Sequence, residues 1–287
     1  MLEHMKPILA EAERAAASGG IGAALTALRK LALDDFGVVM LEMPNGAYPN
    51  LSKVLPRMAS PQVQENWTGA SGYVLLRQSL NFTRILANKY AEVTGESLSG
   101  KRILDYGCGY GRLLRTMLYF GDPGRLFGCD PWTESIRLCE EAAIPVKLDV
   151  TEYLPQSLPY EPASIDLAYA FSVFTHTSLR ASRAALGALR QVMHKDGLLA
   201  LTIRPVEYWA YAARNGDFDA TPFQRDHREK GFAFKPHNRP PIDGDITYGD
   251  TSMTFPFLEE IAEGWRLHSY EHSLDDLHQL VMFLQPR

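Results

Sequence analysis

Lys101–Arg115 reads KRILDYGCGYGRLLR, and this stretch decides the fold. An apolar pair, Ile103 and Leu104, ends in an acid, Asp105. Glycines then stand at 107, 109 and 111, and Leu113, Leu114, Met117 and Leu118 follow at helical spacing. A strand that turns through glycines into a helix is the ligand-cradling corner of a doubly wound α/β domain. Glycine is required there where the backbone takes positive φ, or where a ligand must come closer than a Cβ permits.

Downstream of this corner, Arg125–Asp130 (RLFGCD) reads as a second buried strand ending in an acid, and Glu134–Ala143 as a helix. Val146–Asp149 is a third strand, Ser164–Ala170 a fourth, Ser178–Met193 an amphipathic helix, and Leu198–Ile203 a fifth strand after an Asp196-Gly197 turn. This alternation predicts a mainly parallel sheet covered by helices on both faces. Trp265–Glu271 and His278–Gln285 supply a closing antiparallel pair, for seven strands in all. Between them, residues 204–257 break the rhythm with six prolines and many aromatics, and a helix is expected from near Pro256 to Ala262.

Upstream, Lys6–Arg29 reads as two short helices separated at Gly19-Gly20. Helical spacing returns over Gln62–Thr94, with Leu75, Leu76, Leu80, Phe82, Ile85 and Leu86. The expected organisation is a helical N-terminal extension over residues 1–96 and a ligand-binding domain over 97–287, with residues 204–257 inserted as a cap.

The composition is 46% hydrophobic and 22% charged, that of an ordinary globular chain. A net charge of -5 leaves no basic footprint, so no nucleic-acid partner is expected. No apolar run approaches a membrane span, and the N-terminal segment lacks a signal peptide's apolar core. Three cysteines (Cys108, Cys129, Cys139) without CxxC spacing fit reduced thiols, a cytoplasmic location and no zinc site.

Beyond the glycines, the order of motifs carries a resemblance. ILDYGCGYG resembles the first motif of the class I S-adenosylmethionine-dependent methyltransferases. LFGCD (Leu126–Asp130) resembles their second-strand motif and KLDV (Lys147–Val150) their third. AFSVFTH (Ala170–His176) is similar to the tail of their fourth strand, and MHKDGLLALT (Met193–Thr202) to their turn into the fifth. The rival is a nicotinamide or flavin dinucleotide fold, hence an NAD(P)-dependent oxidoreductase, which needs GxGxxG. Here the third glycine arrives one position early and Arg112 stands where that fingerprint wants glycine. A non-catalytic binding protein on the same scaffold is the other alternative.

The resemblance implies a Rossmann-like methyltransferase with S-adenosyl-L-methionine as cofactor and S-adenosyl-L-homocysteine as product. On that reading Gly107, Cys108, Gly109 and Gly111 lay backbone against the aminocarboxypropyl tail and ribose. Asp105 holds the loop or accepts from the tail ammonium. Asp130 accepts from the ribose hydroxyls, the alternative being a helix cap. Trp132 covers an adenine face, Asp149 takes the exocyclic amine and the Val150 N–H a ring nitrogen, while Phe171 and Ser172 line the sulfonium side. His176 is the candidate base, weighed against a structural histidine. No Asn/Asp-Pro-Pro-Tyr follows the fourth strand, which argues against nucleobase and amide N-methylation. No metal-ligand spacing is present, so no metal is expected. The expected reaction is O-methylation of a small-molecule or glycan hydroxyl. Tyr208, Trp209, His237 and Tyr248 of the insertion are the candidates for acceptor binding, Gln64–Tyr73 is a candidate lid over the cofactor, and a homodimer is allowed.

Overall fold

The computed structural model describes residues 1–287, which divide into two compact units, Met1–Val150 and Thr151–Arg287. In the first unit, helices α1 (Lys6–Leu28), α2 (Leu33–Glu42), α3 (Pro49–Val54), α4 (Pro61–Thr68) and α5 (Gly72–Thr94) precede strand β1 (Ile103–Tyr106). Then come α6 (Arg112–Met117), β2 (Leu126–Asp130), α7 (Thr133–Glu141) and β3 (Lys147–Val150). The two short helices expected over Lys6–Arg29 meet within α1 at Gly20, whose φ of 64° and ψ of -154° are non-helical and adopted readily only by glycine. Strand β2 pairs parallel to both β1 and β3, which sets Cys129 opposite Asp149 and Asp130 opposite Val150. Every residue of β1 and β2 is buried, as expected of parallel strands covered on both faces.

The extension is fastened to α6 by Arg115. Its fully buried guanidinium donates to the carbonyls of Arg57 and Met40, and Met40 lies in the last turn of α2. The unpaired carbonyls at a helix C-terminus carry partial negative charge, so they suit a buried cation that has no carboxylate beside it. Burial pulls the Arg115 pKa down to about 9. A second arginine, Arg29, clamps the carbonyls of Leu118 and Gly121 from α1's end.

The second unit holds β4 (Ile165–Ala170), α8 (Leu179–Val192), β5 (Met193–Ile203), α9 (Glu207–Asn215), α10 (Thr221–Lys230), β6 (Phe232–Pro236), β7 (Gly249–Met253), α11 (Phe255–Ile261), β8 (Trp265–His272) and β9 (Leu280–Pro286). Strands β4 and β5 are parallel, and β9 runs antiparallel to both β5 and β8. The seven-stranded sheet has the order β3-β2-β1-β4-β5-β9-β8. It is the mainly parallel doubly wound sheet that the sequence predicts. After buried Trp265, β8 alternates exposed and half-buried residues along its length, the pattern of a strand covered on one face only.

The segment over residues 204–257 is more regular than its prolines suggest. Pro222 falls in the first turn of α10, where proline starts a helix rather than breaking one, and Pro240–Pro241 sit in the link between β6 and β7. β6 and β7 form a separate two-stranded antiparallel sheet. No helix of the chain is long and apolar enough to cross a membrane.

Candidate active site

The glycine corner forms as the sequence predicts. Gly107, Gly109 and Gly111 all have positive φ, at 76°, 54° and 77°. The N–H groups of Gly107 and Cys108 donate to the Cys129 carbonyl at 2.8 and 3.0 Å, which ties the loop to the end of β2. Beneath it, the Cys139 thiol donates to the Gly109 carbonyl at 3.2 Å. Cys108 packs its side chain into a small core with Leu114, Ile136, Cys139 and Ile144, so only its backbone can meet a ligand. Asp105 is buried at the end of β1.

Asp130 is the organising acid of this corner. Its Oδ2 accepts from the Gly109 N–H at 3.0 Å and its Oδ1 from the Trp132 N–H at 2.9 Å. Burial pushes its carboxyl above the ordinary range, while the N–H groups of Trp132 and Gly109 pull the other way. The bond to Trp132 holds the turn after β2 and is not the helix cap weighed as the alternative, since Trp132 itself is the N-cap residue of α7 and no side chain caps that helix. A carboxylate has about four lone-pair directions, more than the two N–H groups and the nearby Ser135 hydroxyl use. Across the register, Asp149 ends β3 with a buried Oδ2 that has no hydrogen bond and lies 3.4 Å from Lys147 Nζ. Trp132 and Val150 leave large apolar surfaces open, at 44% and 51% of their areas. A buried carboxylate oxygen without a hydrogen bond and two exposed apolar faces suit a flat base with an amino group. The remaining acceptor capacity of Asp130 suits a diol beside it. The residues therefore fit an adenosine-bearing cofactor.

In the second unit a polar cluster lies beyond the C-terminal ends of β4 and β5, the edge at which open α/β sheets take ligands. Its centre is Asp250, on β7. Asp250 accepts from Arg204 Nη1 at 2.8 Å and from the Tyr208 hydroxyl at 2.6 Å, both on Oδ1. His237 Nε2 meets Oδ2 at 3.1 Å. Burial raises the Asp250 pKa, but the hydrogen bonds from Tyr208 and His237 and the charge of Arg204 outweigh it and hold it at about 2. The Arg204 guanidinium lies 3.8 Å from the centre of the Tyr208 ring and donates to the Thr175 carbonyl.

His176 joins this cluster, but as a buttress. Its Nδ1 pairs with the Gly249 carbonyl at 2.8 Å, so Nδ1 carries the hydrogen, and Nε2 accepts from Arg204 Nη2 at 3.0 Å. Burial, and then the Arg204 charge, push its pKa down to about 3. With both nitrogens engaged, the ring has no lone pair for a substrate proton. The geometry favours the structural reading of His176 over the base.

Tyr248 stacks on His176, with centroids 5.1 Å apart and planes 5° from parallel, and Arg239 covers the Tyr248 ring at 4.1 Å. Tyr208, His237 and Tyr248 thus converge. Trp209 does not join them. It is fully buried, stacks on Phe223 at 4.5 Å and donates its indole N–H to Ser252 at 2.7 Å, so it belongs to the core of the inserted segment. Ser172 sits just past β4 at φ 60°, held by its N–H to Thr202 Oγ1 at 2.7 Å and its hydroxyl to Gln279 at 3.0 Å. A non-glycine residue in that region is strained, and such strain gathers at functional sites. Phe171 precedes it, half-buried.

Two residues of the cluster, Arg204 and Asp250, carry no sequence motif. A charged residue placed immediately after the apolar run of β5 is the one signal that pointed to Arg204. Asp250 is a lone acid in a polar segment, and only the pairing of β6 with β7 places it.

Comparison with known proteins bears on the same residues. Residues 104–201 match the methyltransferase domain family. No curated protein matches the chain. Among solved structures, an S-adenosylmethionine-dependent methyltransferase from Clostridium acetobutylicum is similar, with a TM-score of 0.52 at 10% identity over 78% of this chain and 96% of that one. A Pyrococcus horikoshii protein gives 0.51 at 14% identity over 72% and 90%. The magnesium protoporphyrin IX methyltransferase of Synechocystis, with bound S-adenosylhomocysteine, gives 0.50 at 13% identity over 79% and 92%. At these identities the likeness is one of fold, while the domain match and the ordered motifs speak to the chemistry. The chain thus carries a methyltransferase domain over residues 104–201, set in the Rossmann-like fold of the S-adenosylmethionine-dependent methyltransferases it resembles.

Proposed function

We propose that the protein methylates a hydroxyl of a small molecule or glycan. The observation that carries the acceptor reading is the Asp250 cluster, in which an arginine, a tyrosine and two histidines gather around one carboxylate past β4 and β5. Asp250 neutralises Arg204, so the cluster offers an acceptor hydrogen bonds rather than net charge, which suits a neutral polar group.

S-adenosylmethionine supplies, when bound, a methyl group on a good leaving sulfonium, so orientation provides much of the rate. The residues proposed to hold it are the Gly107–Gly111 backbone and Asp105 for the tail, Asp130 for the ribose hydroxyls, and Trp132, Asp149 and Val150 for the adenine. Phe171 and Ser172 are the residues proposed for the sulfonium side. On the acceptor side, Asp250 holds His237 by Nε2–H, which leaves Nδ1 with its lone pair and no partner within the chain. His237, rather than His176, is then the group that takes the hydroxyl proton, with Tyr208 and Tyr248 shaping the pocket. In domain terms, residues 1–96 are the lid-bearing extension and 204–257 the acceptor cap.

Calorimetry with S-adenosylhomocysteine and NADH, followed by transfer of radiolabelled methyl to a panel of phenols, sugars and other small hydroxyl compounds, tests this reading. Binding of the first ligand only, with label on a hydroxyl, is expected. Binding of NADH instead, or label on nitrogen or carbon, would overturn it.

A further inference from the structure

The N-terminal extension lays one aromatic side chain against the glycine loop. Trp67, on α4, lies against Gly109 so closely that a Cβ built there would sit 3.2 Å from Trp67 Cζ3. The same indole stacks on Trp132, with centroids 5.0 Å apart and planes 19° from parallel, and meets Tyr110 edge-on at 5.8 Å. One residue therefore spans the glycine loop and the end of β2, the two pieces that present the tail and ribose sides of the cofactor.

The placement is built. Ser60 caps α4 through the Val63 N–H, and Gly69 ends the helix at φ 75°. Buried Gln64 bonds the Ala59 carbonyl at 2.7 Å and the Gly72 N–H at 3.1 Å, which joins α4 to the start of α5. The α5 helix is in turn held to the glycine helix by Arg112, which donates to Gln78 and Ser79 at 3.1 and 2.9 Å. Trp67 is only half-buried, and its indole N–H has no hydrogen bond within the chain. A large aromatic is thus left with an open face and an open donor beside the loop. The ligand's tail carries a carboxylate and a sulfonium there, a partner for the N–H and a partner for the ring.

We propose that Trp67 is a cofactor-binding residue, contributed by the extension, that completes the wall of the S-adenosylmethionine site above Gly109. The inference rests on the cofactor placement proposed above. It assigns the extension a part in cofactor binding and makes α4 a segment that the ligand should protect further.

The test is calorimetry of S-adenosylmethionine with the full-length chain and its Trp67→Ala and Trp67→Phe variants, alongside hydrogen exchange of residues 61–72 with and without that ligand. Trp67→Ala is expected to weaken binding by about tenfold, as for loss of one desolvated aromatic contact, with Trp67→Phe closer to the wild type. The ligand is expected to slow exchange in α4 of the wild-type chain. If the wild type binds and Trp67→Ala binds equally well or more tightly, or if α4 exchange is unchanged, Trp67 is a packing residue or a plug and the inference fails. If the wild type does not bind at all, it is the cofactor placement that fails. Exchange on the wild type settles the matter even if Trp67→Ala folds poorly.

Discussion

Arg204 donates from Nη2 to His176 Nε2 at 3.0 Å, and this bond decides which protonation state the histidine keeps. A protonated ring would place a second cation against the guanidinium. Burial and Arg204 therefore hold His176 neutral, with a pKa of about 3, whereas in the unfolded chain it titrates near ~6.5.

The sign of the pH dependence follows. Above pH ~6.5 neither state carries the proton, so the histidine has no linkage effect. Below it the unfolded chain takes up a proton that the folded chain refuses, so stability falls as pH drops toward about 3, by at most about 1.4 kcal/mol per pH unit. Urea denaturation of wild type and His176→Gln at intervals from pH 4 to 7.5 checks this. The variant is expected to be weaker at pH 7.5 but to lose less on acidification. Parallel curves would show that His176 already accepts a proton in the fold.

Asp250 compensates Arg204, whose side chain is 10% accessible. Asp250→Ala would leave the guanidinium buried without a carboxylate and release Tyr208 and His237, at a cost of about 3 kcal/mol. Asp250→Asn should cost less, since the amide oxygen can still accept. Chemical denaturation measures both. A loss below ~1 kcal/mol for the alanine variant would mean that water replaces the carboxylate.

How much of this was legible beforehand depends on how local each signal is. The corner at Lys101–Arg115 is written in adjacent residues, because strand, turn glycines and helix follow within one stretch. Asp130 and Asp149 stand out in the sequence for the same reason, as acids that end short apolar strands. Trp209 was misread as an acceptor residue because an aromatic in a proline-rich segment gives no sign of which way it points. Its burial comes from Phe223 and Ser252, 14 and 43 residues away. His176 was readable as a candidate but not as a role, since its partners Arg204 and Gly249 arrive from β5 and β7. The contact of Trp67 with Gly109 is likewise long-range, and no spacing rule connects α4 to β1.

Asp130 joins two backbone donors to the proposed ribose site. Asp130→Ala should weaken S-adenosylhomocysteine binding by about tenfold or more, the loss of a charged acceptor, and should also loosen the loop at Gly109. Asp130→Asn separates the two effects. It keeps one acceptor oxygen but no charge, so it should fall between wild type and alanine in calorimetry. Unchanged affinity in both variants would put the ribose elsewhere.

Gly111 and Gly100 test whether the glycine corner is demanded by backbone angle alone. Both have positive φ, at 77° and 71°, but a Cβ on Gly100 meets nothing within 4 Å. A Cβ on Gly111 would stand 3.0 Å from Ile144 Cδ1 and 3.1 Å from Cys139 Sγ. Gly100→Ala should cost about 1 kcal/mol, the left-handed penalty by itself. Gly111→Ala should cost about 2–3 kcal/mol, because Ile144 and Cys139 must also give way. Equal losses in thermal unfolding would show that the small core under the loop is slack.

Trp209 separates a core residue from a binding residue. It is fully enclosed and bonded to Ser252, so Trp209→Ala should destabilise the chain by about 3–5 kcal/mol through lost packing. Trp209→Phe keeps much of the volume and the stack on Phe223 but strands the Ser252 hydroxyl, which also serves His227 Nδ1 at 2.8 Å. Its cost should be nearer 1–2 kcal/mol. Once an acceptor is in hand, KM for that acceptor should be unchanged in Trp209→Phe and raised in Tyr208→Phe and His237→Ala, with kcat also lowered in His237→Ala, because only the latter two side chains belong to the cluster around Asp250. A KM defect in Trp209→Phe as large as theirs would return Trp209 to the acceptor pocket.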